Sequence, residues 1–282
     1  MYEIVERKDL APRIKLFKVE APEIARKAYP GQFIILRIDE IGERIPLTIA
    51  DFDADQGNIT IIFQEVGKTT ELLGEMKAGD YILDFAGPLG CASQIEKFGT
   101  VVCVGGGIGV APVYPIAKAL HEEGNKVISI IGARSKDILI WEDEMKKISS
   151  QLYVATDDGT AGTKGFVTDV LKEVLDREKV DRVIAIGPVV MMQAVAKVVP
   201  QDLPLVVSLN TIMVDGTGMC GACRLETAGK TMFACVDGPE FDGHTVNWDL
   251  ILQRSKMFIN REKEALRVIK RGGCQCQSQN GR

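Results

Sequence analysis

Residues 101–112 constrain the fold more strongly than any other part of the chain. They begin with an unbroken apolar run at 101–104, which is typical of a strand buried on both faces. A helical pattern begins near Pro112, and four glycines lie between: Gly105, Gly106, Gly107 and Gly109. Such a turn lets the backbone approach a phosphate closely, at the positive end of a helix dipole. The segment predicts a nucleotide-binding βα unit, with a plain tight turn as the alternative.

Alternating strands and helices follow this unit, and they predict a doubly wound parallel sheet. Strands are predicted at 126–131, 152–155, 182–186 and 205–209, and helices at 112–123, 140–148, 165–176 and 189–199. Irregular turns follow these strands on one edge of the sheet, where a nucleotide would lie. The turn residues expected to contact it are Arg134, Asp157, Asp158, Gly159, Gly187 and Pro188.

The sequence leaves the choice between NAD and NADP open. Arg134 follows the second strand of the sheet, where side chains meet the adenosine ribose, and a cation there suits a 2′-phosphate. Asp137, three residues later, favours the free hydroxyl of NAD instead.

The first ninety residues predict a barrel or sandwich of short strands at 13–20, 31–39, 44–51, 58–66 and 80–86, with one helix at 69–77. Two segments carry groups that can hydrogen-bond a phosphate. They are Arg44-Ile45-Pro46-Leu47-Thr48 and Gly67-Lys68-Thr69-Thr70. The alternative for Thr69 or Thr70 is a helix N-cap.

The cysteines predict a metal centre. Cys220, Cys223 and Cys235 cluster, and Asp215 stands five positions before Cys220. This spacing is close to the C-x4-C-x2-C pattern of plant-type [2Fe–2S] proteins, with aspartate in place of the first cysteine. Two alternatives stay open. One is a zinc site of three cysteines and one aspartate. In the other, Asp215 is a turn residue and Cys274 or Cys276 supplies the fourth ligand.

Charge and composition exclude several classes of protein. The 34 basic and 39 acidic residues give a net charge of −5, so a nucleic-acid-binding role has little support. Residues 98–117 are uncharged, but their glycines and prolines favour a strand and a helix over a membrane span. Acidic residues interrupt the first positions, which argues against a signal peptide. We therefore expect a cytoplasmic protein without a membrane span.

Taken together, these motifs resemble the ferredoxin–NADP reductase superfamily, and more closely its iron–sulfur flavoprotein branch. That branch includes electron-transfer subunits of class B dihydroorotate dehydrogenases and of NADH-dependent reduced ferredoxin:NADP oxidoreductases. Its flavin motif, phosphate turn, nucleotide turn and cluster spacing match the segments described above. Two departures stand out: Ile45 occupies the usual arginine position, one residue after Arg44, and Asp215 replaces a cysteine. The second departure is similar to the small subunit of the oxidoreductase.

The resemblance implies a multidomain α+β protein. It predicts an FAD-binding antiparallel β-barrel at 1–95, an NAD(H)-binding parallel α/β domain at 96–208 and a small [2Fe–2S] module at 209–246. A C-terminal helix, predicted at 248–270, and a tail complete the chain at 247–282. The implied flavin contacts are Arg44, Pro46, Leu47, Thr48, Gly67, Thr69 and Thr70, and the implied metal ligands are Asp215, Cys220, Cys223 and Cys235.

The resemblance also implies a function. Electrons would pass between NAD(H), FAD and the cluster to a larger flavin and iron–sulfur subunit in a heterodimer, and indirectly to ferredoxin and NADP by electron bifurcation. No side chain is expected to act as a catalytic acid or base. The alternatives are an electron-transfer subunit for dihydroorotate dehydrogenase or another flavoprotein and, in a different class, a nucleotide-binding regulatory protein with structural zinc.

Overall fold

A computed structural model describes residues 1–271, and the first ninety of them form a nearly closed antiparallel barrel. The sheet order is β6-β1-β2-β5-β4-β3-β7, and because only Leu83 separates β6 from β7, the two ends of the sheet meet. The elements are β1 (Tyr2–Ala11), β2 (Ile14–Glu20), α1 (Pro22–Ala25), β3 (Phe33–Arg37), β4 (Ile45–Asp53), β5 (Asn58–Gln64), α2 (Lys68–Glu75), β6 (Tyr81–Ile82) and β7 (Asp84–Leu89).

Strand β1 and the short helix α1 were not predicted. Strand β1 lies near the end of the sheet, between β6 and β2, and its exposed side chains are mostly charged. Its apolar positions are therefore too few to give the alternation that identifies a strand from sequence.

The parallel sheet is confirmed. Its order is β11-β10-β9-β8-β12-β13, and all these strands pair in parallel. The elements are β8 (Thr100–Gly106), α3 (Val110–Glu122), β9 (Lys126–Ala133), α4 (Glu142–Ile148), β10 (Gln151–Thr156), β11 (Thr163–Lys164), α5 (Val167–Arg177), β12 (Arg182–Ile186), α6 (Val189–Val198) and β13 (Leu205–Ser208).

Strand β8 is an unbroken apolar run because helices cover both faces of the sheet. Val101 and Cys103 pack in the cluster that contains α3 and α4, whereas Val102 and Val104 pack in the cluster that contains α5 and α6. Successive residues of a strand point to opposite faces, so both faces need apolar side chains. No helix within residues 1–271 is long and apolar enough to cross a membrane.

The cysteine segment, residues 209–246, has little regular structure. It contains a hairpin of β14 (Arg224–Thr227) and β15 (Lys230–Phe233), followed by β16 (Glu240–Asp242). Strand β16 pairs antiparallel with β13 and extends the parallel sheet by one strand. The predicted boundaries at residues 95, 208 and 246 stay predictions, but this pairing ties the cysteine segment firmly to the α/β domain.

The helix predicted at 248–270 is broken into α7 (Trp248–Arg254) and α8 (Ile259–Arg271). The two halves pack on different partners: α7 contacts α6 and β14, and α8 contacts α2 of the barrel. A single straight helix could not reach both, so the chain turns at residues 255–258. Cys274 and Cys276 lie outside the described residues.

Candidate functional site

A cleft of about 320 Å³ lies where the barrel, the α/β domain and the cysteine segment meet. Strand β4 lines one side, and the turns after β8 and β12 line the other. The cysteine segment adds Leu209, Asn210, Met213 and Pro239. Six residues predicted from the sequence come together here: Pro46, Leu47, Thr48, Thr70, Gly109 and Gly187.

The lining of the cleft is apolar with a few neutral polar groups. Among residues 1–271, no charged side chain lines it, and the polar side chains are Thr48, Gln64, Thr70, Ser208 and Asn210. A largely apolar pocket with few polar groups is typical of sites for aromatic cofactors. The lining therefore fits the flat ring of a flavin.

Several residues of the cleft were missed by sequence reasoning. Gln64 ends β5 and Ser208 ends β13, so both are polar residues that close an apolar run. A polar residue at the end of an apolar strand was the only sequence signal for these two positions. Phe33, Asn210 and Met213 carry no such signal, because only the packing of three segments brings them to the cleft.

The turn before α2 is ordered by Thr70. Its hydroxyl accepts hydrogen bonds from the backbone N–H groups of Val66 and Gly67, both at 3.0 Å. Thr69 is buried, and its hydroxyl donates to Glu43 at 3.0 Å. Gly67 is the N-cap of α2 and Thr70 is its third helical residue, so neither threonine is the N-cap that the sequence left open, although the Thr70 hydroxyl does serve the start of the helix. Gly67 and Thr69 do not line the cleft, and their flavin contacts stay a prediction.

The glycines of the nucleotide turn are held by close packing. A Cβ atom at Gly109 would stand 2.2 Å from the Ile186 carbonyl oxygen, and one at Gly106 would stand 2.2 Å from the Met191 sulfur. Gly105 approaches Val110 in the same way. Real Cβ contacts are essentially never this short. At Gly109 the obstacle is backbone, so no side chain fits there, whereas at Gly106 the Met191 side chain would have to move. This geometry fits a backbone that approaches a dinucleotide closely.

Two further turns are joined at the predicted adenosine end. The Asp157 N–H donates to the Ala133 carbonyl at 3.1 Å, and the Asp158 N–H donates to Arg134 at 3.2 Å. Thr160 hydrogen bonds hold the pKa of the Asp158 carboxyl below its usual value. The Asp137 carboxylate accepts a hydrogen bond from its neighbour Ser135. Arg134 is exposed, and the choice between NAD and NADP stays open.

The candidate metal ligands lie in and beside one loop. Cys223 and Cys235 are buried with their sulfur atoms 3.2 Å apart, whereas Cys220 is exposed. Burial and the contact with Cys223 raise the pKa of the Cys235 thiol to about 11. Metal binding at this pair would therefore release protons. Within residues 1–271, no three His, Cys, Asp or Glu side chains converge closely enough to hold a single ion.

Asp215 is turned back into its own loop. Its carboxylate accepts hydrogen bonds from the backbone N–H of Thr217 at 3.1 Å and of Cys220 at 2.8 Å. These bonds hold the pKa of the Asp215 carboxyl below its usual value, so it is ionised at neutral pH, as a metal ligand must be. One carboxylate and three cysteines suit an iron–sulfur cluster.

Arg44, like Gly67 and Thr69, is a predicted flavin contact that does not line the cleft. It lines a second cavity of about 300 Å³, together with Asp215. Ile45, the next residue, lines the cleft instead. A shift of one position along the chain therefore places the arginine in a different cavity from the residues that follow it.

A partly buried carboxylate joins the three parts of the chain. Glu240 of β16 accepts a hydrogen bond from the Ser93 hydroxyl, and the Ser93 N–H donates to Pro30 at 2.8 Å. Gly31 is in the left-handed region, and a Cβ there would clash with Ser93. Burial removes water from the Glu240 carboxylate and so raises the pKa of this carboxyl.

Comparison with known proteins agrees with this architecture. Residues 210–247 match the model of the iron–sulfur cluster binding domain of dihydroorotate dehydrogenase B, and residues 103–197 match that of the oxidoreductase NAD-binding domain. A Thermotoga maritima protein described as a dihydroorotate dehydrogenase B (NAD(+)) electron transfer subunit homolog is 49% identical over 93% of each chain. The corresponding Fusobacterium nucleatum subunit is 36% identical, over 84% of this chain and 94% of that one.

Solved structures give the same result. A structure described as an NADH-dependent reduced ferredoxin-NADP oxidoreductase, studied for flavin-based electron bifurcation, is 46% identical. It aligns with a TM-score of 0.91 over 96% of this chain and 98% of its own. The Amycolatopsis cytochrome P450 reductase GcoB is 22% identical, with a TM-score of 0.61 over 70% of this chain and 64% of its own, and shares the fold.

The resemblance inferred from the motifs is therefore confirmed, as is the ferredoxin–NADP reductase-like fold of a barrel followed by a parallel sheet. FAD, NAD(H) and a [2Fe–2S] cluster are the cofactors that this architecture supports. The chain belongs to the family of dihydroorotate dehydrogenase B electron transfer subunits and their homologues, which are oxidoreductase subunits.

Proposed function

We propose that this chain passes electrons between NAD(H), FAD and a [2Fe–2S] cluster, and on to a larger flavin and iron–sulfur subunit with which it forms a heterodimer. One observation carries the proposal: the three segments predicted to hold the three groups all line the same cleft. When bound, FAD can exchange a hydride with a nicotinamide and exchange single electrons with a cluster.

The barrel and the α/β domain form opposite walls of the cleft. Pro46, Leu47 and Thr48 present one apolar edge and one hydroxyl to a flat ring. Gly109 and Gly187 face them without side chains, which leaves a path from the nucleotide turn into the cleft. The apolar lining excludes water from the place where a nicotinamide and a flavin would meet.

The cysteine segment connects the cleft to the candidate cluster by a short stretch of chain. Met213 lines the cleft, and Asp215, two residues later, is the first candidate ligand. Gly216 rests on Ile35 and Leu89 of the barrel, since a Cβ there would stand 2.7 Å from the Ile35 side chain. These contacts hold the candidate cluster loop against the flavin-binding domain.

The partner subunit is proposed to cover the exposed apolar side chains of the cysteine segment. They are Ile212, Val214, Met219 and Val236, and Met219 is 88% exposed. Met219 directly precedes the candidate ligand Cys220. Several large apolar side chains exposed within one short segment favour an interaction site there. A partner docked here would receive electrons close to the cluster.

We assign the partner to an electron-bifurcating NADH-dependent ferredoxin:NADP oxidoreductase, so that ferredoxin and NADP are reached indirectly. The similarity to that structure and the aspartate at position 215 support this assignment. The alternative is a dihydroorotate dehydrogenase partner, which the matched cluster domain supports. The free thiols, including exposed Cys91 and Cys220, suit a reducing cytoplasm.

The test is anaerobic purification of the chain, followed by absorption and EPR spectra before and after NADH, with iron and zinc assays. We expect flavin bands, two irons per chain and a cluster signal that NADH generates. A colourless chain that holds zinc and no iron would refute the proposal.

Co-purification from the native host tests the partner. A flavin and iron–sulfur protein that reduces ferredoxin supports our assignment, and one that oxidises dihydroorotate supports the alternative.

Met219→Glu should weaken the complex at least tenfold, because it buries a charge in an apolar interface. Met257→Glu is the matched control, since Met257 is also exposed but lies outside the cysteine segment. Equal effects of the two variants would place the interface elsewhere.

A further inference from the structure

Both departures of this chain from the family pattern meet in one place. Arg44 stands one residue before the usual arginine position, and Asp215 stands where a cysteine is usual. The second cavity, of about 300 Å³, is lined by both of them. Its other walls come mainly from β3 and β7 of the barrel.

Arg44 directly precedes the first residue of β4. Ile45, Pro46, Leu47 and Thr48 line the cleft, whereas Arg44 lines the second cavity. An arginine at 45 would extend into the cleft, where a flavin phosphate could be reached. At 44 it extends towards the cluster loop instead.

The second cavity contains one ion pair and two charged residues without an ion-pair partner within residues 1–271. Arg37 is matched by Asp84, with 2.7 Å between Nε and Oδ2. Among the described residues, the Arg44 side chain makes no hydrogen bond or ion pair. Asp215 is held by two backbone N–H groups of its own loop, at 2.8 and 3.1 Å. The cavity therefore contains one cation and one anion that have no ion-pair partner among the described residues.

The place of Asp215 relative to the barrel is fixed by packing. Gly216 has a positive φ of 75°, and a Cβ there would lie 2.7 Å from Ile35 and 2.8 Å from Leu89. Ile35 also lines the second cavity. The loop cannot move away from the Arg44 side of the barrel without losing these contacts.

We propose that Arg44 is a positioning residue for the iron–sulfur cluster, where it pairs electrostatically with the Asp215 carboxylate and does not bind the flavin pyrophosphate. The inference rests on the proposed function. A cation beside the cluster stabilises the added electron, so Arg44 raises the reduction potential of the cluster. It also offsets the negative charge that the carboxylate ligand brings.

The test is an EPR-monitored redox titration of the anaerobically purified full chain, with wild type compared to Arg44→Gln. We expect the equilibrium constant for cluster reduction to fall roughly tenfold, which is about 59 mV for one electron. The FAD content per chain should not change. Arg44→Lys keeps the charge and should restore most of the potential.

A matched control removes one positive and one negative charge from the same cavity, so the net charge of the cavity does not change. The double variant Arg37→Gln/Asp84→Asn deletes a cation and an anion that already pair, so the cluster potential should stay at the wild-type value.

Three outcomes would overturn the inference. Loss of FAD from Arg44→Gln with an unchanged cluster potential would assign Arg44 to the flavin. An unchanged potential with FAD retained would leave Arg44 without a role at the cluster. A shift in the double control as large as that in Arg44→Gln would show a general effect of the cavity. A wild-type chain without a cluster signal would instead refute the proposed function, and is thus distinguished from these results.

Discussion

The nucleotide turn and the cysteine loop are both glycine-rich, yet they are held in different ways. In the nucleotide turn, Gly109 lies against the backbone of Ile186, between a buried strand and the start of a helix. In the cysteine loop, a Cβ at Gly221 would meet only one ordinary contact, and Cys220 is exposed. Core packing therefore shapes the first site before a ligand arrives. The second packs against the barrel at Gly216, but its part around Cys220 depends on local hydrogen bonds and on the group that it binds.

The largest effect expected from this comparison is loss of the cluster on removal of one buried thiol. Cys223→Ser should reduce iron to near zero per chain, because Cys223 and Cys235 form the buried half of the site. Flavin content should remain, since the cleft is formed elsewhere. Iron assays and EPR measure the first result, and flavin absorbance measures the second.

Cys91→Ser is the control for that experiment. Cys91 is exposed and its thiol donates to the Val236 carbonyl at 3.2 Å, so it lies beside the loop without belonging to the predicted ligands. Iron retained in Cys223→Ser, or lost equally in Cys91→Ser, would contradict the ligand set.

A smaller effect is expected in the nucleotide turn, where two glycines differ in their surroundings. Gly109→Ala should lower the free energy of unfolding by about 3 kcal/mol, because its Cβ would collide with backbone that cannot yield. Gly107→Ala should cost about 1 kcal/mol, since its φ is 56° but no atom lies within 4 Å of a new Cβ. Urea denaturation compares the two, and equal costs would show that the turn is not packed as described.

The smallest effect concerns Glu240 of β16, which joins the cysteine segment to Ser93 and to the parallel sheet. Its folded pKa is raised above the unfolded value near 4.5 by loss of solvent. The contribution of this carboxyl to the free energy of unfolding is therefore fully present below pH 4.5, and it is lost as the pH rises through the folded pKa. Glu240→Gln should be more stable than wild type at pH 8, with a difference that shrinks towards pH 4.5. Melting temperatures measured across this range check the sign, and a difference that grows on acidification would reverse it.

Much of the fold could be predicted because its strands have a strong pattern. Strand β8 is apolar on both faces, and helices α3, α5 and α6 follow their periodicity closely. Strand β1 was missed because charged residues interrupt its pattern. The break between α7 and α8 was missed because it depends on which distant surfaces the two helices contact.

The candidate site, like the fold, could be predicted only in part. Thr48, Gly109 and Gly187 follow from motifs, and the structure brings them to one cleft. Gln64, Ser208 and Asn210 were not predicted, since no motif marks these neutral polar residues. The place of Arg44 was not predictable either, since it depends on how the residue before β4 packs beside β3 and β7.

By itself, the sequence determined the local chemistry: a glycine turn between a buried strand and a helix, and an aspartate and three cysteines at cluster spacing. These features depend on residues that are close in the chain, so backbone geometry and side-chain type suffice to define them. Only the tertiary structure decided that three segments share one cleft, that β16 joins the parallel sheet, and that Arg44 and Asp215 face one cavity. Those relations join distant parts of the chain, and they arise only when the barrel closes and the sheets and helices pack.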